Sequence, residues 1–155
     1  MRGTWLRAAN GQMNVLVHYA LQFVGVPYIY GGNNPISGMD CSGFVCELLR
    51  ASGVLVGDHS SQMIYEYLVA NGAQECRGPR CGAIVFFGKA IDKISHVGFC
   101  VNSDIMLEAG GGDHSVKHRS DAELKGAFIK MSPISKRHDQ VSVLMPLYKL
   151  SLAGG

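Results

Sequence analysis

The chain is short of charge. Asp, Glu, Lys and Arg make up only 17% of its 155 residues, and the balance is +2 with histidine neutral. So small an excess makes no electrostatic case for nucleic acid as a partner. Long apolar runs are also missing, and none approaches the roughly 20 residues that cross a bilayer, so no membrane insertion is expected. A signal region is absent too. Arg2 and Arg7 stand near the start, but Ala8-Ala9-Asn10-Gly11-Gln12 follows where an apolar stretch would be required, so the chain reads as soluble and leaderless. The cysteines, at 41, 46, 76, 81 and 100, are odd in number and fit no secreted disulfide framework. Cys76 and Cys81 form a close pair, at the same spacing as Cys41 and Cys46. A metal clip would need two further ligands at matching spacing, so neither metal nor cofactor is expected. Cys46 and Cys100 read as buried small hydrophobes.

What is present is apolar: 47% of the residues, enough for a substantial core. With no internal repeat and no linker, residues 1–155 read as one domain, with a core over about 12–148 and a loose tail at Ser151–Gly155. Met13, Leu16, Val17, Ala20, Leu21 and Val24 recur at helical spacing, with Asn10 as a cap and Gly25 and Pro27 as a stop. A loop from Gly31 to Gly38 is rich in turn residues. A second helix follows, with Cys41, Phe44, Val45, Leu48 and Leu49 on one face, Asp40 as its cap and Ser52-Gly53 as its end. A third runs from Gln62 to Ala70 with Met63, Ile64, Tyr67 and Leu68 inward. The pattern then changes to strands at Ala83–Phe87, Ile94–Val101, Ile105–Ala109, Gly126–Met131 and Val141–Tyr148. Pro146 marks the last as an edge strand. Helices first and an antiparallel sheet after them is an α+β order.

Two sites carry chemistry. Cys41 opens a helix, and a helix N-terminus favours negative charge, hence a thiolate. Cysteines on apolar helix faces are often plain core residues. Cys41 instead sits between Asp40 and Ser42 behind a turn-rich loop, polar surroundings that a core thiol does not need. Gly43 lets another backbone approach closely. His96 lies in an apolar strand, and an imidazole near a thiol can take its proton. Alternation puts His96, Gly98 and Cys100 on one face, where Gly98 leaves room for a helix carrying Cys41. A third group must orient the imidazole. If Val101 pairs with Ile105 across a three-residue turn, Glu108 lies opposite Gly98 and diagonal to His96. A two-residue turn would send it to the other face, and His114 and His118 stand as rivals beyond Gly110-Gly111-Gly112. Tyr28 and Tyr30 are packing residues or, near a thiolate, donors to an oxyanion. His18, His59 and His138 have no motif around them.

Taken in order, Gly25-Val26-Pro27-Tyr28-Ile29-Tyr30-Gly31-Gly32, Met39-Asp40-Cys41-Ser42-Gly43-Phe44-Val45, Gly82-Ala83-Ile84-Val85-Phe86-Phe87, His96-Val97-Gly98-Phe99 and Met106-Leu107-Glu108-Ala109-Gly110-Gly111 resemble the NlpC-type cysteine peptidases. That is a papain-like family of bacterial and phage cell-wall hydrolases, and the match covers roughly residues 12–131. The resemblance implies a papain-like fold, with the Cys41 helix packed on an antiparallel sheet. It implies Cys41 as nucleophile, His96 as base, and Tyr28, Asp40 and Ser42 as substrate-binding residues. Glu108 takes the position of the third polar residue, most often His, Asn or Gln in the family, and Ala83 replaces a usual Asp. The implied reaction is hydrolysis of an amide in peptidoglycan stem peptides, between γ-D-glutamate and a diamino acid. The alternatives are another amidase or acyltransferase on the same fold, or a phage structural component without turnover. A monomer is expected, cytoplasmic until released or carried by a phage. A thiol redox protein would need a resolving cysteine closer to Cys41 than Cys46.

Overall fold

In the computed structural model, residues 13–55 and 57–148 are described. Asn10, expected to cap the first helix, and the tail from Ser151 lie outside them. Helix α1 covers residues 13–21 and buries Leu16 and Ala20. It stops before Val24, which is exposed; the turn that follows carries Phe23 inward instead. Helix α2 (Cys41–Ala51) drives Phe44, Val45, Leu48 and Leu49 into the core. Asp40 caps its start by accepting from the Gly43 N–H, and Ser52 closes its end. Helix α3 (Ser61–Ala70) buries Ile64 and Leu68. Its inward stripe is narrower than the apolar residues suggested, because Ser61 shares the buried face and Met63 turns outward.

A two-stranded hairpin joins β1 (Asn33–Asn34) to β2 (Gly38–Met39). The main sheet has β3 (Gln74–Glu75), β4 (Ile84–Gly88), β5 (Ile94–Cys100), β6 (Ile105–Gly110), β7 (Phe128–Pro133) and β8 (Gln140–Met145). Its strands are antiparallel in the order β3-β8-β4-β5-β6-β7. The last strand is therefore not an edge. β8 pairs with β4 on one side and with the two-residue β3 on the other. Pro146 falls just past its end and costs the ladder nothing. Strand β7 begins two residues later than expected because Gly126, in the left-handed region, caps a short helix α4 (Arg119–Lys125). That helix buries only Ala122, too little pattern to read from sequence.

The helices pack on one face of the sheet, against Ile84, Phe86, Val97, Phe99, Leu107 and Ala109. The other face carries Val85, Phe87, Cys100, Met106 and Val143, closed by Ile134 from a 3-10 turn at Ile134–Lys136. This layering corrects one expectation. Gly98 belongs to the second face, where the Met106 sulfur fills the space beside it, and α2 rests on the opposite side.

Candidate active site

Simple alternation does not place His96. Phe87 pairs with His96 while Gly88 pairs with Ile94, so Ser95 is an extra residue in β5. Such a bulge bends a strand and re-aims its side chains. Here Ile94 and Val97, three apart, both reach the helix-side core. The His96 ring lies beside Phe87, with centroids 5.8 Å apart, and faces a pocket of about 230 Å³ that it shares with Cys41, Tyr28 and Glu108.

Glu108 reaches that pocket through hairpin register. Val101 donates to the Ile105 carbonyl, Cys100 pairs with Met106 and Phe99 with Leu107. One residue further, this register sets Glu108 opposite Gly98. The turn holds three residues because the Asn102 Oδ1 accepts from both the Asp104 and Ile105 N–H groups. The Glu108 side chain is 1% exposed, and its Oε2 lies 2.5 Å from His96 Nε2. His114 instead packs edge-on against Tyr30, is exposed, and does not line the pocket.

The electrostatics agree with a charged pair. Burial works against an imidazolium at His96, but Cys41 and Glu108 outweigh it and raise the ring to about 9. Burial likewise opposes ionisation of Glu108. Its partners His96, Lys136 and Ser132 prevail and hold the carboxyl down at about 2. The structure thus adds a residue that no motif signalled. Lys136 Nζ contacts Glu108 Oε1 and lies 3.2 Å from the Ser132 hydroxyl. Nothing in Ile134-Ser135-Lys136-Arg137-His138 marks that lysine, because its placement depends on a turn 28 residues away from its partner.

Cys41 is half-buried at the first position of α2, where backbone N–H groups lack intrahelical partners and face outward. The helix is seated by the glycine loop. A Cβ on Gly43 would stand 2.1 Å from the Gly32 carbonyl oxygen, so only glycine allows this approach. Asp40 ties the same parts together: Oδ1 accepts from Gly43 and from the Ser42 hydroxyl, and Oδ2 from the Gly31 N–H. Asp40 and Ser42 therefore bond each other, and neither lines the pocket. Tyr28 does line it. Its phenol is pushed up by burial and then by the nearby Cys41 and Asp40, so it stays a hydrogen-bond donor at ordinary pH. Gly112 lies under its ring, and a Cβ there would come within 2.1 Å of Cδ1. Gly112→Ala is expected to displace Tyr28 and cost about 1–3 kcal/mol of stability, read as a lower midpoint of thermal unfolding. An unchanged midpoint would mean that the ring has room to move.

A thiol at a helix start, an imidazole on a bulged strand and a carboxylate behind it follow the logic of an activated nucleophile. The NlpC/P60 family model matches residues 25–136, which hold all of these groups. The chain belongs to the NlpC/P60 family. It is 32% identical over 92 residues to the bifunctional muramidase/DL-endopeptidase CwlT of Bacillus subtilis, an alignment covering 58% of this chain and 27% of that enzyme. The fold matches the P60 domain of antigen MAP1204 from M. avium subspecies paratuberculosis with a TM-score of 0.66 at 21% identity, covering 90% of this chain and 97% of that one. It also matches RipD from Mycobacterium tuberculosis, described as a non-catalytic NlpC/p60 domain protein, with a TM-score of 0.63 at 18% identity over 88% of this chain and 97% of that one. The papain-like α+β arrangement expected from the sequence is the one observed.

Proposed function

We propose that this NlpC/P60 chain is a cysteine peptidase that hydrolyses an amide in the stem peptides of peptidoglycan, at the bond between γ-D-glutamate and a diamino acid. The observation that carries the reading is the line Cys41, His96, Glu108 in one pocket. Cys41 Sγ attacks the carbonyl carbon, and the carbonyl oxygen becomes an oxyanion. The Cys41 N–H and the Tyr28 hydroxyl are the donors offered to it. His96 then gives its proton to the leaving amine, and an acyl-enzyme remains. Water, deprotonated by His96, attacks the thioester and returns the free thiol. Glu108 holds the ring through Nε2, which leaves Nδ1 to face the thiol.

The choice of bond rests on likeness to a relative named a DL-endopeptidase, of whose length this chain spans 27%. Asp40 and Ser42 are the proposed contacts to a stem-peptide amine. In that role Asp40 would serve while also capping α2. A binding domain without turnover, as RipD is described, is the second reading. The assembled Cys41 and His96 favour catalysis over it. Digestion of purified peptidoglycan, with mass spectrometry of the new termini, tests the proposal. A new diamino-acid amine paired with a new D-glutamate carboxyl is expected. A different terminus would reassign the bond, and binding without new termini would favour the second reading.

A further inference from the structure

Glu108 is unusual company for an imidazole in one respect. A neutral amide or a second histidine orients a ring without bringing a full charge to it. A carboxylate brings one, into a site where its own side chain is 1% exposed. Left alone there, it would hold His96 as an imidazolium too firmly, and the ring must lose its proton twice in each proposed turnover.

The structure supplies a counter-charge from a different element. Lys136 sits at the end of the 3-10 turn that follows β7. That turn is fastened from two sides: Ile134 is buried in the second core cluster, and its N–H donates to the Asp104 carbonyl at 2.8 Å. Ser132, within β7, accepts from the same ammonium. Glu108 thus divides its two oxygens, Oε2 to His96 and Oε1 to Lys136. Arg137, next in the chain, is spoken for. Its Nε and Nη2 bind both oxygens of Asp139 at 2.9 and 2.7 Å, and its guanidinium lies 4.9 Å from the centroid of Phe87.

We propose that Lys136 is a positioning residue for the Cys41–His96 pair, its ammonium fixing the Glu108 carboxylate and offsetting the charge which that carboxylate presents to the imidazole. The inference rests on the peptidase reading for its use in turnover, but its electrostatic content stands on the contacts alone. The charged and titratable groups around His96 are Cys41 from α2, Tyr28 from the loop after α1, and Glu108 from β6. Lys130 lies opposite Glu108 on β7, and Lys136, Arg137 and Asp139 come from the segment between β7 and β8. Arg137 and Asp139 cancel each other. Lys130 bonds the Gly126 carbonyl at 3.3 Å. Lys136 is the cation bonded to the carboxylate itself. Together Glu108 and Lys136 make an orienter that accepts from the ring like a carboxylate yet carries little net charge.

The test reads His96 directly. In the full chain carrying Cys41→Ala, the imidazole C–H signals are followed by NMR through pH, and the His96 signal is identified by its loss in His96→Gln. Lys136→Met removes the charge and keeps the aliphatic stem. Lys136→Gln removes the charge and keeps a donor, and Lys136→Arg keeps the charge. The Met and Gln variants are expected to raise the His96 midpoint by about one unit, with Arg leaving it in place. A midpoint that stays or falls in the Met or Gln variant overturns the proposal, and a merely structural lysine would leave it unmoved. Should Lys136→Met fail to fold, Lys136→Gln still decides. With Cys41 present, the alkaline limb of kcat/KM on peptidoglycan fragments should move upward in the same variants, with KM unchanged. If the chain cleaves no peptidoglycan, the peptidase reading fails while the NMR titration still judges Lys136.

Discussion

Cys41→Ala is expected to abolish the release of new termini from peptidoglycan, by on the order of 10³-fold or more, while thermal unfolding stays near that of the parent. The size follows from the mechanism, because Cys41 is the one thiol that lines the pocket with His96. Stability should be spared because Cys41 is half-buried at a helix start, while Phe44, Val45, Leu48 and Leu49 carry the packing of α2. Cys41→Ser keeps the shape and should be as inactive, since a hydroxyl is far harder to ionise than a thiol and is the weaker nucleophile. The same residue should be the first of the five cysteines to react with iodoacetamide at neutral pH. Burial pushes the Cys46 thiol up to about 11 and that of Cys100 up to about 12, and it raises Cys81 as well. Each is thereby held in its unreactive form. Peptide mapping of briefly alkylated protein reads the order. Prior labelling of Cys76 or Cys81, with Cys41 resistant, would remove the nucleophile assignment.

The parts of this site that could be read from the sequence are those fixed by local chemistry. Asp40 is three residues before the N–H it caps, and Gly43 lies where α2 meets the glycine loop. The register that brings Glu108 to His96 is legible only as one of two turn geometries, and the Asn102 side chain selects the three-residue one. The rest depends on contacts distant in sequence. The Ser95 bulge arises from the pairing of β5 with β4, and a strand read alone shows only its alternation. The inner position of β8 follows from a two-residue strand that no propensity scale would detect. Lys136 enters through a turn whose place is set by Asp104 and the second core cluster. In each case a short element or a single residue is governed by a partner far along the chain, and local pattern carries no trace of it.

Glu108→Ala is expected to lose activity by tenfold or more, on the order seen when the orienting member of a triad is removed. His96 would lose the acceptor on Nε2, and with it the preference for presenting Nδ1 to the thiol. Folding should survive, because the Lys136 side chain is 40% exposed and can turn to water once its partner is gone. Glu108→Gln would ordinarily be the gentle substitution, since an amide oxygen can accept from the ring. Lys136 makes it harsh here. If the amide oxygen faces His96, the NH₂ group faces an ammonium; if the amide flips, His96 meets a donor. Glu108→Gln should therefore lose nearly as much as Glu108→Ala. Adding Lys136→Met removes the conflict and should recover part of the rate. The pH dependence of stability offers an independent check. Glu108, lowered from 4.5 to about 2, contributes stability that is complete above pH 4.5 and is lost as pH falls through 2. His96, raised from 6.5 to about 9, contributes stability that is complete below pH 6.5 and is lost as pH rises through 9. The two are halves of one interaction, so the parent should be most stable between these limits, and Glu108→Ala should flatten both sides of the curve of unfolding midpoint against pH. Full activity in Glu108→Ala, or an acid limb of stability that Glu108→Ala leaves unchanged, would show that Glu108 neither orients nor charges His96.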